Sequence, residues 1–346
     1  MGEIMENLTL TAALAKALGG GGGGVTSADP ASIQKAVAAG NARKHFEIGD
    51  IITIPWTNFT GNTPVMLDLP FVVVNIADCY DEDGQLHKDA LWLMLQQTEP
   101  EEMVFDEPEV NAASGTFQEG LHYFTKNSDN SYTEQTVTVG DAIPAGYYVH
   151  QFGGSNGANI IRYGYNRWSV SAYRQWLNSD AAKNENWWTK QHDFDVTPST
   201  TYTNKPGWLF GFPDEWKQIF KRVKVQTAAN TVTDGGVTDV TYDKFFLPSL
   251  EQMYGSPQAA GIEGDYWEYW KKETGMDEPS NGDSSHPNDA RKIPNIQSGT
   301  KVAVTVRLRS AYRGNSGYAW YVSSGGYLNY TVAYYAYRGQ PACVIY

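Results

Sequence analysis

The stretch 306–346 reads VRLRSAYRGNSGYAWYVSSGGYLNYTVAYYAYRGQPACVIY. Its last forty residues hold nine of the 22 tyrosines and no Asp or Glu, in a chain whose formal net charge is -13. Tyr, Ser, Gly and Asn crowd between Tyr312 and Tyr337, with Val, Leu and Trp at regular positions among them. Tyr offers broad amphipathic contact at low rotamer cost, while Ser, Gly and Asn supply adaptable hydrogen bonds. A hydrophobic core would draw on Leu, Ile and Val, and a catalytic centre would need ionisable groups. The composition is that of a surface made to bind.

The missing residue types sharpen this reading. From 312 to 337 there is no Lys, Gln, Glu or Met, and a single Trp, Trp320. Every other residue there can be reached from an Asn codon by changing its adenines alone. Strand propensity accounts for Tyr and Thr, but it does not remove Lys and Glu from exposed positions. Targeted adenine mutagenesis belongs to diversity-generating retroelements, which rewrite the 3′ end of a target gene.

The framework Leu308-Arg309-Ser310, Ala319-Trp320, Val322, Gly325-Gly326, Leu328, Val332 and Gly339-Gln340-Pro341-Ala342 resembles the C-terminal signature of retroelement-diversified variable proteins. Those proteins have a C-type-lectin fold similar to that of phage tropism determinants and formylglycine-generating enzymes. Gly49-Asp50-Ile51-Ile52, Asn166-Arg167-Trp168-Ser169, Arg174-Gln175-Trp176-Leu177-Asn178 and Phe246-Leu247-Pro248-Ser249 resemble segments of related gut-phage domains. The resemblance implies an α+β, C-type-lectin-like fold with two main helices, antiparallel strands and an inserted β-hairpin module at about 104–152. It implies a ligand-binding face made of Tyr312, Arg313, Gly314, Asn315, Ser316, Gly317, Tyr318, Tyr321, Ser323, Tyr327, Asn329, Tyr330, Thr331, Ala333, Tyr334, Tyr335 and Tyr337. Arg309, Trp320, Val322, Leu328 and Val332 are expected to be scaffold beneath one shared face. The expected partner is a host cell-surface protein or glycan, with the protein displayed on a virion assembled in the host cytoplasm. The alternative is a bacterial lectin-fold binder with a cellular ligand, at the cell surface or in the cytoplasm.

Expectations for the rest of the chain follow from composition and pattern. At 346 residues, with 13% aromatics and 19% charged residues, the chain can bury a large core. Its acidic balance argues against a nucleic-acid partner, which needs clustered Lys and Arg. The one small basic run, KQIFKRVK at 217–224, has the spacing of a helix's polar face. Cys79 and Cys343, far apart in sequence, read as two free buried thiols. No targeting signal or membrane insertion is expected, because the N-terminus is acidic and its apolar run short. Residues 1–24 read as a short helix at 9–18 and a glycine linker, an assembly element docking to other virion proteins. Residues 25–45 read as a helical connector and 46–346 as the lectin-like domain, with its variable region at 307–346. A homo-oligomer is compatible with this plan.

Along the body, 48–55 and 70–77 read as strands, joined through the acidic turn Asp81-Glu82-Asp83-Gly84 to an apolar stretch at 90–95. Residues 115–152 read as strands with turns, 170–178 and 213–224 as the two helices, and 266–270 as a short aromatic helix before a polar loop at 278–289. A clean strand is expected at 302–308.

Catalytic motifs find little support. Gly153-Gly154-Ser155-Asn156-Gly157 matches the nucleophile elbow G-x-S-x-G, which must lie between a strand and a helix. Residues 158–165 (ANIIRYGY) look extended, so a glycine-rich turn is expected there. The six histidines lack zinc spacing, and His192-Asp193 with Asp195 reads as a polar loop. Cys343 has no neighbouring cysteine for formylglycine chemistry, and Gln340-Pro341-Ala342 lacks the calcium-binding acid of sugar-binding lectins. No cofactor, metal or catalytic activity is expected.

Overall fold

A computed structural model describes residues 25–26, 29–38, 40–255, 261–274, 291–295 and 302–346. The expected helix at 9–18, the glycine linker and the polar loop at 278–289 lie outside the described residues. Strand β2 (Ile51–Asn58) follows β1 (Val25–Thr26) and buries Ile52, Ile54 and Trp56 in strict alternation, as the two-residue side-chain period of a strand requires. Strand β3 (Val65–Tyr80) contains the run 71–76, buried throughout because both of its faces are covered. The acidic turn then closes a hairpin onto β4 (Leu86–Leu95). Asp81 Oδ1 accepts the N–H groups of Asp83 and Gln85, and Gly84 has φ 77.

Four further small units follow in sequence. Strand β5 (Met103–Val104) precedes a separate three-stranded sheet of β6 (His122–Lys126), β7 (Tyr132–Gln135) and β8 (Tyr147–His150), in the order β7-β6-β8. A hairpin joins β9 (Val223–Ala228) to β10 (Thr238–Asp243). Strand β11 (Phe245–Phe246) leads toward the C-terminal sheet β12 (Val306–Ala311), β13 (Tyr318–Val322) and β14 (Leu328–Val332). Strand β15 (Ala336–Tyr337) pairs with β5, and β16 (Ala342–Ile345) enters the main sheet, whose order is β1-β2-β3-β4-β16-β11. Only the β1–β2 pair of that sheet is parallel.

The helices are short: α1 (Pro30–Val37), α2 (Ala42–His45), α3 (Gly154–Tyr163), α4 (Ala172–Leu177), α5 (Thr200–Thr203), α6 (Asp214–Ile219), α7 (Leu250–Tyr254) and α8 (Glu268–Thr274). Asp29 caps α1 by accepting the N–H groups of Ala31 and Ser32, as its place before Pro30 predicts. The fold is therefore α+β and strand-dominated, without a barrel.

Four expectations are corrected. The two main helices are six residues each. Helix α4 ends where Asn178 turns its amide onto Arg174 O and Phe245 O. Helix α6 ends at Phe220, whose ring is drawn against Phe212 and Phe245 at 5.2 and 4.8 Å. The basic run 217–224 consequently spans helix, connection and the start of β9, so it is not one helix's polar face. Residues 158–163 are helical rather than extended, within α3. The strand expected at 302–308 runs instead from Val306 to Ala311.

The main core is aromatic. Trp208 lies 4.9 Å from Trp56 and 5.8 Å from Trp176, and Phe212 stacks on Phe245 at 5.4 Å. Burying each such ring contributes roughly 1.5–3 kcal/mol. Cys79 and Cys343 are both free and buried, as expected.

Candidate ligand-binding face

The C-terminal sheet is anchored by two buried arginines of β12. Arg309 is 1% exposed and donates to Leu247 O at 2.9 Å, Gln252 Oε1 at 2.5 Å and Glu263 O at 2.5 Å. Burial pushes the Glu263 carboxyl up, and the Arg309 charge opposes that rise. Arg307 is fully buried, and no carboxylate among the described residues pairs with it. Its guanidinium donates to the carbonyls of Ala319, Val332 and Tyr335 at 3.0–3.1 Å and lies 4.8 Å from the Tyr337 ring centre. Burial lowers its pKa to about 10, so it stays cationic at neutral pH.

A buried amide does the same for the first turn. Asn166 Nδ2 donates to Asn315 O and Tyr318 O, both at 2.6 Å, and to Tyr312 O at 3.3 Å. Asn230 Nδ2 in turn donates to Asn166 Oδ1. Thr231 holds the Arg313 carbonyl through its N–H and hydroxyl, and the Tyr254 hydroxyl donates to Gly326 O at 3.1 Å. Glu99 accepts Tyr173 O–H and, at 2.6 Å, Gly339 N–H. The scaffold thus grips the segment largely by its main chain, which every side chain shares.

The side chains gripped in this way make two ring clusters. Tyr312 stacks on Tyr330 at 4.0 Å, and Tyr330 lies 5.9 Å from Tyr318 and 5.3 Å from Trp320. Strand alternation places Tyr321 on the opposite face of β13, where it meets Tyr337 at 5.6 Å. Tyr335 joins that cluster through Tyr337 and Tyr334. The expectation of one shared face is corrected to two clusters. Tyr163 at the end of α3 stands between them: its ring is 5.7 Å from Tyr318, its carbonyl accepts Tyr334 N–H at 3.0 Å, and Arg162 stacks on it at 4.9 Å.

Exposure divides the expected site residues. Tyr330 and Tyr335 are exposed at 39% and 45%, with Gly314 and Asn329 also exposed. Tyr312, Arg313, Asn315, Tyr318, Tyr321, Ser323, Tyr327, Thr331, Tyr334 and Tyr337 are half-buried. Ser316, Gly317 and Ala333 are buried and do not belong to a surface. Ser316 Oγ donates to Asn156 O, and a Cβ on Gly317 would sit 3.0 Å from Tyr163 Cβ and 3.1 Å from Asn159 O. Of the expected scaffold, Arg309, Val322 and Val332 are buried, whereas Trp320 and Leu328 are half-buried against the core. Trp320 underlies the first cluster, with Tyr312 at 5.7 Å. The phenol of Tyr312 has its pKa raised, first by its hydrogen bond to Tyr330, and that of Tyr318 is raised by burial.

Sequence patterning misses Arg162 and Tyr163, because they precede the tyrosine-rich segment by about 150 positions and helix formation at 154–163 went against local preference. The G-x-S-x-G motif follows β8 but lies within the first turn of α3, with Gly153 as the N-cap and 154–157 helical. Ser155 is exposed there without a histidine partner. His122 pairs instead with Glu134, whose carboxylate accepts Gly154 N–H at the start of α3. His192 pairs with Asp195. Among the described residues no group of three or more His, Cys, Asp or Glu is placed to hold a metal ion, and no helix is long and apolar enough to cross a membrane.

These elements define a strand-rich α+β domain carrying aromatic clusters on a sheet held by its main chain. Residues 147–346 match a family described as a domain of unknown function (DUF6273), and the chain belongs to that family. The match begins at β8 and takes in all of the C-terminal sheet. No curated protein and no solved structure matches the chain.

Proposed function

We propose that the chain is a non-enzymatic receptor-binding protein on a C-type-lectin-like scaffold, its tyrosine clusters diversified by a retroelement and displayed on a phage virion for host recognition. One observation carries the reading: Asn166 and Arg307 hold the backbone of the tyrosine segment by its carbonyls, leaving its exposed and half-buried side chains free to change without refolding. Tyr dominates binding hot spots, so this variant binds through aromatic contact rather than charge. Weak single sites would be compensated on a particle, where linked copies gain roughly 10²–10⁴ in avidity.

The test is attachment. Particles carrying Tyr318→Ala, Tyr327→Ala and Tyr335→Ala together are expected to lose adsorption to host cells while the isolated protein keeps its melting temperature. Unchanged adsorption sinks the reading. Sequencing the gene across a natural population tests diversification separately: substitutions should cluster at 312–337 and fall at template adenines.

A further inference from the structure

A concave site lies away from the tyrosine clusters, between the segment 184–190 and α5. It is a groove of about 560 Å³, within the roughly 300–1,000 Å³ typical of small-ligand sites. Its floor is Trp188, 8% exposed, whose indole N–H has no partner among the described residues. Asn184, Asn204, Thr197 and Lys190 stand exposed on its walls, and their side chains make no hydrogen bond to any described residue.

The walls are fixed to one another. Asn184 N–H donates to Asn204 O at 3.2 Å, Trp187 Nε1 donates to Tyr202 O at 3.2 Å, and Trp188 N–H donates to Asn186 Oδ1 at 3.2 Å. The frame of the groove is therefore formed before any ligand arrives, which lowers the ordering cost of binding. Glu185 and Lys190, one acid and one base, leave the lining without net charge. A phosphate or carboxylate ligand would call for surplus cations. Each asparagine amide offers two donors and an acceptor, and the indole N–H one donor more, a match for adjacent hydroxyls.

We propose that this groove binds a short neutral glycan, with Asn184 and Asn204 as the hydroxyl-recognising groups and the indole N–H of Trp188 as a further donor at its floor. The assignment is independent of the tyrosine clusters, which share none of these residues.

The experiment is calorimetric titration of the full chain with maltose, cellobiose, lactose and chitobiose, and with digalacturonate as the charged control. At least one neutral disaccharide is expected to bind with a Kd on the order of 1 mM. Asn204→Ala and Asn184→Gly should each weaken it about ten-fold, as loss of one good hydrogen bond does. Both variants keep the fold, since Asn204 is exposed and glycine suits the φ of 68 at position 184. No heat from any neutral sugar at roughly 10 mM overturns the proposal, as does a preference for digalacturonate. Binding that survives both substitutions but disappears in Tyr318→Ala overturns it too, and assigns the sugar to the tyrosine clusters.

Discussion

At the scale of single residues, support and contact are separable. Asn166 is buried and bonds three carbonyls of one turn, whereas Tyr330 is 39% exposed and packs on the rings of Tyr312, Tyr318 and Trp320. Asn166→Ala takes the side-chain donor from Asn315 O and one of two donors from Tyr312 O and Tyr318 O, and is expected to cost on the order of 3 kcal/mol, read as a lower midpoint in urea. Tyr330→Ala should cost under about 1 kcal/mol yet weaken host attachment as much as the triple tyrosine variant does. Equal loss of stability in the two variants would contradict this division. Composition made the tyrosines legible from sequence. The support was not legible, because Asn166 and the Tyr318 carbonyl that it holds are 152 positions apart and no local pattern records such a bond.

At the scale of elements, local signals succeeded where one face of a strand is buried and failed where packing decided. Alternation in β2, the apolar run of β3 and the Asp81 turn were readable because each is complete within a few residues. Helix α3 was not, since its β-branched centre favours strand locally and only contact with the β7-β6-β8 sheet selects the helix. Ala158 and Ile161 pack there on Phe124, with Tyr132 and Tyr148 beside them. Phe124→Ala is expected to cost about 3–5 kcal/mol, and exchange of the α3 amide hydrogens should accelerate more than that of β2. The short lengths of α4 and α6 were likewise set by distant partners: Lys244 N–H reaches Asn178 Oδ1, and Phe245 receives Phe220.

At the scale of the whole molecule, buried acids set how stability responds to pH. Burial pushes Glu99 up to about 8 and Glu109 to about 11, and raises Asp106. Folding then retains protons that the unfolded chain releases above its ordinary carboxyl range, so stability falls as pH rises through about 8. His150 runs the other way: burial lowers it to about 4, so stability is lost as pH drops below its ordinary 6.5. The acids outnumber the histidine, and calorimetric melting temperature should peak near about pH 5 and decline toward about pH 9, with Glu99→Gln flattening part of the decline. The main sheet carries one more consequence. Strand β16 follows the tyrosine segment in sequence yet sits between β4 and β11, with Ala342, Cys343, Val344 and Ile345 all buried. A chain interrupted anywhere before Ala342 lacks the strand that joins β11 to β4, and one truncated after Gln340 is expected to be insoluble. A mutational process that frequently rewrote the preceding codons would have a built-in proofreader here: frameshifted or prematurely stopped products never mature, and only full-length readings reach the surface where binding is tried.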